Sequence, residues 1–179
     1  MNHSENALDQ SPVERPAYFA HFVVRTSQYA EMVRWYSIFL NADLVYNDEK
    51  LTFLTFDEEH HRLAIVNKPG LVPMTNEHAG IDHVAYSYSS FEGLFRQYEW
   101  LKKHDILPHI SINHGPTTSL YYKDPDGNQV ENQVNNWPDA ARPKAYFKTE
   151  AFAQNPLGEF FDPDAMSAKI LAGSDVTAA

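Results

Sequence analysis

The chain has 179 residues, 43% of them hydrophobic and 13% aromatic, which suits one packed domain with or without an accessory tail and not a disordered chain. A formal net charge of −10 opposes a general nucleic-acid surface, there is no polybasic membrane patch, and no apolar run approaches the ~20 residues that cross a bilayer. There are no cysteines, so disulfides, thiolate nucleophiles, iron–sulfur clusters and Cys-type zinc sites are excluded, and a cytoplasmic location is the simplest expectation.

Residues 1–16 are polar, lack an apolar signal core and read as a flexible leader. A strand is predicted over residues 18–25, with His21 inside it. A helix follows over about 27–40. Its apolar residues Tyr29, Met32, Val33, Tyr36 and Phe39 recur at three- and four-residue steps, giving one buried face. Thr26 or Ser27 can cap its start. Short strands are expected at 43–46, 51–56 and 62–67. Residues 68–80 carry Pro69, Gly70, Pro73 and Gly80 and read as a linker.

The same order then recurs: a strand near 81–86, a helix over about 90–103, and strands near 109–112, 117–123 and 129–134. Asp124-Pro125-Asp126-Gly127 marks a hairpin between the last two, with Pro presetting φ and Gly accepting positive φ. After Asn135 the character changes, with prolines at 138, 143, 156 and 163. Short helices are predicted near 147–154 and 164–171, the second with Asp162 as cap and Pro163 at its first position. This tail, 138–179, is expected to wrap the domain or a neighbouring chain, as in a homodimer. Its end, 173–179, reads as disordered.

The recurrence is visible residue by residue. AHFVVRTSQYAEMVRWY, from Ala20, aligns with DHVAYSYSSFEGLFRQY, from Asp82. His21 falls on His83, Tyr29 on Phe91, Met32 on Leu94, Val33 on Phe95, Arg34 on Arg96 and Tyr36 on Tyr98, all at one offset. Duplication is the better reading, and two copies are too few for a solenoid. The expected fold is α+β. Two βαβββ modules, 18–67 and 81–134 within a domain at 17–137, curl into a half-open mixed β-barrel around a cleft.

Matched positions on the two first strands face the same cleft, so His21 and His83 are candidate metal ligands. Imidazole suits iron, zinc, nickel or copper. Glu131, in the last strand of the second copy, is the candidate third ligand. It shares a strand face with Gln129 and Gln133, while Val130 and Val134 face the other way. A buried carboxylate without a partner is costly, and a cation removes that cost. The corresponding strand of the first copy offers Ile65, Val66 and Asn67, with no carboxylate. Two histidines and one carboxylate leave open positions, as in the facial triad of non-haem Fe(II) oxygenases.

HFVVRT…WYSIFLNADLVY, HHRLAIVN, GIDHVAY and SLYYKDPDGNQVENQV resemble the vicinal-oxygen-chelate superfamily of glyoxalases, bleomycin-resistance proteins and extradiol dioxygenases. Within it the resemblance is nearest to single-domain type I extradiol dioxygenases acting on biphenyl-2,3-diol-like compounds. It covers roughly 18–137, and the segment FAQNPLGEFFDP also looks like that of small members. The DPDGNQVE hairpin is common to the whole superfamily and carries fold more than activity. The resemblance implies Fe(II), with Mn(II) suiting the same ligands, held by His21, His83 and Glu131. It implies an aromatic diol and O2 as substrates. It also implies catalytic roles for His61, in the HHxLA stretch, for Tyr121, ten residues before the glutamate, and for His114. His114 stands two residues nearer the tyrosine than the usual pattern.

The residues alone leave plainer readings open. A single strand histidine is more often a satisfied polar group than a ligand. His60 and His61 follow Asp57, Glu58 and Glu59, as in a solvated turn, and Tyr121 or Tyr122 can be strand filler. His3, His78, His104 and His109 read as surface or packing residues, and Trp35, Tyr36, Phe95 and Tyr98 as core. Two other activities also remain open. One is a metal-dependent lyase or isomerase of glyoxalase type. The other is a metal-free protein that binds an aromatic compound.

Overall fold

Alternating apolar side chains build two small sheets, each covered by one helix. The computed structural model describes residues 14–72, 75, 77, 79–137, 139 and 141–173. The first unit contains β1 (Phe22–Thr26), α1 (Tyr29–Phe39), β2 (Asp43–Asn47), β3 (Leu51–Thr55) and β4 (Leu63–Asn67). Its strands lie in the order β1-β4-β3-β2. The second contains β5 (His83–Tyr88), α2 (Phe91–Lys102), β6 (Ile110–Asn113), β7 (Thr117–Lys123) and β8 (Gln129–Asn135). After it come α3 (Ala141–Tyr146), α4 (Glu150–Gln154), β9 (Glu159–Phe160) and α5 (Pro163–Leu171). The second sheet runs β5-β8-β7-β6-β9. In each unit the first strand pairs parallel with the last, and the other pairs are antiparallel. The strands form two open sheets, and no closed barrel is present among the described residues.

Each helix buries one face. Met32, Tyr36 and Phe39 of α1 meet Leu54, Leu63 and Ile65; Leu94, Phe95, Tyr98 and Leu101 of α2 meet Leu120, Tyr122, Val130 and Val134. These side chains join in one cluster, with the Phe39 ring edge-on to Tyr122 at 5.2 Å. Each such side chain contributes roughly 1.5–3 kcal/mol through removal from water.

Polar contacts fasten the units together at the hairpin. Tyr36 Oη donates to Asp124 Oδ2 at 3.2 Å, and Gln28 Nε2 donates to Pro125 O and Asp126 Oδ1 at 2.9 and 2.8 Å. Asp124 also accepts from the backbone N–H groups of Asp126 and Asn128. Gly127 turns the chain at φ +85. The turn that introduces Glu131 is therefore tied to the opposite module.

Several boundaries differ from expectation for local reasons. His21 lies just before β1, not inside a strand. The ladder with β4 starts at Phe22↔Leu63, and the chain before it is held by a side chain instead: Arg62 Nη1 donates to the carbonyls of Phe19 and Ala20. The start of α1 has no side-chain cap, because Thr26 Oγ1 accepts from Gln28 N–H in a tight turn of its own. Ser90 does cap α2, accepting from Gly93 N–H at 3.0 Å. The expected helix at 147–154 is shortened to α4, capped by Thr149, and α3 before it was not expected. Asp162 caps α5 and Pro163 opens it. Strand β9 was not expected.

His3, His78, most of the leader and residues 174–179 lie outside the described residues. No helix among the described residues is long and apolar enough to cross a membrane.

Candidate metal centre

Parallel pairing of β5 with β8 brings the second copy's histidine to the carboxylate. Ala85 pairs with Glu131 and His83 with Gln129, so His83 and Glu131 lie on the same sheet face. His83 Nε2 stands 3.1 Å from Glu131 Oε2, and Glu131 is 4% exposed. The other ring nitrogen, Nδ1, is 2.6 Å from Asp82 Oδ2. A carboxylate there accepts the Nδ1 proton and leaves Nε2 as the atom aimed at Glu131. Two lone pairs do not face each other at 3.1 Å, so the contact is made through a shared proton or, in its place, a metal ion. The donor set of one imidazole nitrogen and one carboxylate oxygen, with a carboxylate behind the ring, fits a first-row divalent ion.

Tyr121 lies across from Glu131 in the β7–β8 ladder, and its ring is edge-on to His83 at 5.4 Å. Burial first, and the Glu131 carboxylate second, push its phenol well above the ordinary value, so it remains protonated. His114 Nε2 is 2.9 Å from Tyr121 Oη, so the short loop still lets this histidine reach the site. Tyr122 points the other way and is fully buried in the core.

The first copy gathers a different set. The rings of His21 and His61 are 4.3 Å apart, and His61 stacks on Phe53 at 4.5 Å. His60 Nδ1 is 2.5 Å from His61 Nδ1, and its other nitrogen faces Glu59 at 3.2 Å. Burial, then the neighbouring His21 and His60, lower the pKa of His61 below the ordinary histidine value and favour its neutral form. The structure thus brings His83, Glu131, Tyr121 and His114 together, and His21 with His61. Among the described residues no three His, Cys, Asp or Glu side chains converge closely enough to hold a metal ion, so His21 does not complete the His83–Glu131 pair in this conformation.

A cavity of about 350 Å³ opens between the two modules, lined by Phe22, Val24, Tyr36, His83, Val84 and Val130 among others; none of Glu131, Tyr121, His114 or His61 lines it, and Val84 and Val130 face away from the His83–Glu131 pair. Its size falls within the range of small-molecule pockets.

The family model for the glyoxalase/bleomycin resistance protein/dioxygenase superfamily matches residues 18–132. The chain belongs to this superfamily. It is 43% identical over 159 residues to biphenyl-2,3-diol 1,2-dioxygenase 2 of Rhodococcus globerulus, covering 88% of this chain and 84% of that one. It is 38% identical over 156 residues to biphenyl-2,3-diol 1,2-dioxygenase 3 of the same organism, covering 86% and 82%. A glyoxylase/bleomycin resistance protein/dioxygenase domain from Frankia superposes with a TM-score of 0.56 at 16% identity, over 68% of this chain and 99% of that one, a likeness of fold.

The superfamily's duplicated frame corrects one detail. In the second copy Glu131 pairs with Ala85; in the first, Ala64 pairs with Val23, which aligns with Ala85. The position equivalent to Glu131 is therefore Ala64, not one of 65–67. The absence of a carboxylate there is unchanged. Sequence reasoning missed Asp82, whose place directly before His83 was a visible signal. It also missed the Leu157 carbonyl, 2.6 Å from His114 Nδ1, for which side-chain chemistry gives no signal.

Proposed function

We propose that the protein is an extradiol-type dioxygenase that cleaves a catechol-like ring beside its hydroxyls, using Fe(II) held by His21, His83 and Glu131. The observation that carries this reading is the contact of half-buried His83 with buried Glu131, backed by Asp82 and flanked by Tyr121 and His114. Ferrous iron bound there would supply open positions for the two oxygens of a vicinal diol and for O2, and would acidify the diol.

The chain's own groups have compatible tasks. Asp82 orients His83 through Nδ1. Tyr121, kept protonated, can hydrogen-bond a substrate oxygen. Neutral His61 can take up and return a proton near pH 7. The two dioxygenase-named relatives, each matched over more than four-fifths of its length, support an aromatic diol as the substrate class. Ala64 weighs against a glyoxalase-type lyase, which needs a second carboxylate in the first copy.

The test is anaerobic loading with ferrous iron followed by a catechol panel in oxygenated buffer. Oxygen uptake with at least one catechol, and a ring-opened yellow product, is expected. An iron-loaded protein that consumes no oxygen with any catechol contradicts the reading. Turnover with nickel, cobalt or zinc and no oxygen requirement supports the lyase alternative instead.

A further inference from the structure

His114 is held from behind by the segment that follows the second module. Its Nδ1 lies 2.6 Å from the Leu157 carbonyl oxygen and its Nε2 lies 2.9 Å from Tyr121 Oη. A carbonyl oxygen can only accept, so the proton of that first bond sits on Nδ1. In the neutral ring Nε2 then carries the lone pair and accepts from the Tyr121 hydroxyl. The backbone of a remote segment thereby decides which nitrogen faces the site.

The segment is built to hold that carbonyl still. Gly158 follows it at φ +93, a conformation L side chains rarely adopt. A Cβ on Gly158 would lie 2.1 Å from Asn113 O and 2.7 Å from His114 Cα, so the two backbones touch there. Asn155 locks the turn, accepting from Gly158 N–H and donating to Gly158 O, both at 3.1 Å. Downstream, β9 pairs Glu159 with Asn113 and Phe160 with Ile112. Beyond it α5 is pinned to α2: Asp164 meets Tyr98 Oη at 2.6 Å and Lys102 Nζ at 2.5 Å, and Ser167 Oγ donates to Glu99 Oε1.

We propose that residues 155–161 are a positioning element of the active site: the Leu157 carbonyl, set by Gly158, fixes His114 as the Nδ1–H tautomer, so that Nε2 presents its lone pair to the Tyr121 hydroxyl and holds that hydroxyl in place. That Tyr121 meets substrate rests on the dioxygenase reading; the tautomer does not.

The experiment is ¹⁵N NMR of the imidazole nitrogens in the full-length chain without added metal, with His114→Gln assigning the signal. The neutral His114 ring is expected as Nδ1–H, against the Nε2–H preference of free histidine. Tyr121→Phe should keep Nδ1–H, because the carbonyl and not the phenol sets it. Gly158→Val should release the ring to Nε2–H. In iron-loaded enzyme Gly158→Val should lower kcat about tenfold with KM within about twofold, and should add no loss in the Tyr121→Phe background. An Nε2–H ring in the parent chain, a switch to Nε2–H in Tyr121→Phe, or an undiminished kcat loss in the double variant overturns the proposal. Tyr121→Phe decides the tautomer question even if Gly158→Val does not fold. If the parent chain turns over no catechol, the functional reading fails while the tautomer measurement still decides the role of the segment.

Discussion

The two modules each place a histidine at the head of their first strand, and then treat it differently. His83 meets Glu131 and Tyr121. His21 meets His61, which stacks on Phe53. The register makes the contrast one of substitution on a shared frame: Glu131 and Tyr121 pair across β7–β8, and Ala64 and Phe53 pair across β3–β4. One copy supplies the charge, and the other supplies small and aromatic surface. In the proposed centre that asymmetry would leave coordination positions open, since a symmetric duplication would offer two carboxylates instead of one.

Restoring the symmetry should have the largest effect. Ala64→Glu places a second carboxylate at the position equivalent to Glu131. Iron should still bind, while oxygen-dependent turnover falls at least about a hundredfold as an open position is filled. Without metal the variant should melt well below the parent, because a buried carboxylate lacks a partner. Iron content, oxygen uptake and thermal melting check these three outcomes. Full turnover with iron bound would mean that position 64 does not face the ion.

A smaller effect should come from loosening the modules. Tyr36→Phe removes the hydroxyl that reaches Asp124 across the boundary. A loss of about 1–2 kcal/mol in urea denaturation is expected, since a buried carboxylate loses one donor. An unchanged midpoint would show that the hairpin needs no tether from the first module.

The smallest contrast lies in the helix starts. Ser90→Ala should cost about 1 kcal/mol, because Ser90 caps α2, whereas Ser27→Ala should fall within about 0.5 kcal/mol of the parent, because α1 has no side-chain cap. Equal losses would contradict the observed difference between the copies.

These contrasts also mark how far the sequence could be read. The duplication, both helix faces and the Asp124–Gly127 hairpin follow from apolar periodicity and turn chemistry, which act over a few residues. Strand β7 falls at the expected 117–123. The pairing of Glu131 with His83 follows from parallel register, and Ala64 could not be chosen over 65–67 until that register was known. His21 was expected inside a strand, but Arg62 takes the carbonyls before it, and a side chain reaching back more than forty positions leaves no local signal. The Leu157 carbonyl was invisible for a stronger reason: every residue has one, and only the fold selects which faces His114. Strand β9 has two residues, too few for a periodic pattern.

The account depends on His21 joining His83 and Glu131 around one ion, although its ring rests against His61 in this structure. Anaerobic titration with ferrous iron tests that directly, on the parent chain, His21→Ala and Glu131→Ala. About one equivalent should bind to the parent, and each variant should retain less than about a tenth of it under the same conditions. A His21→Ala chain that takes up iron as the parent does, or a parent chain that takes up none, would contradict the account.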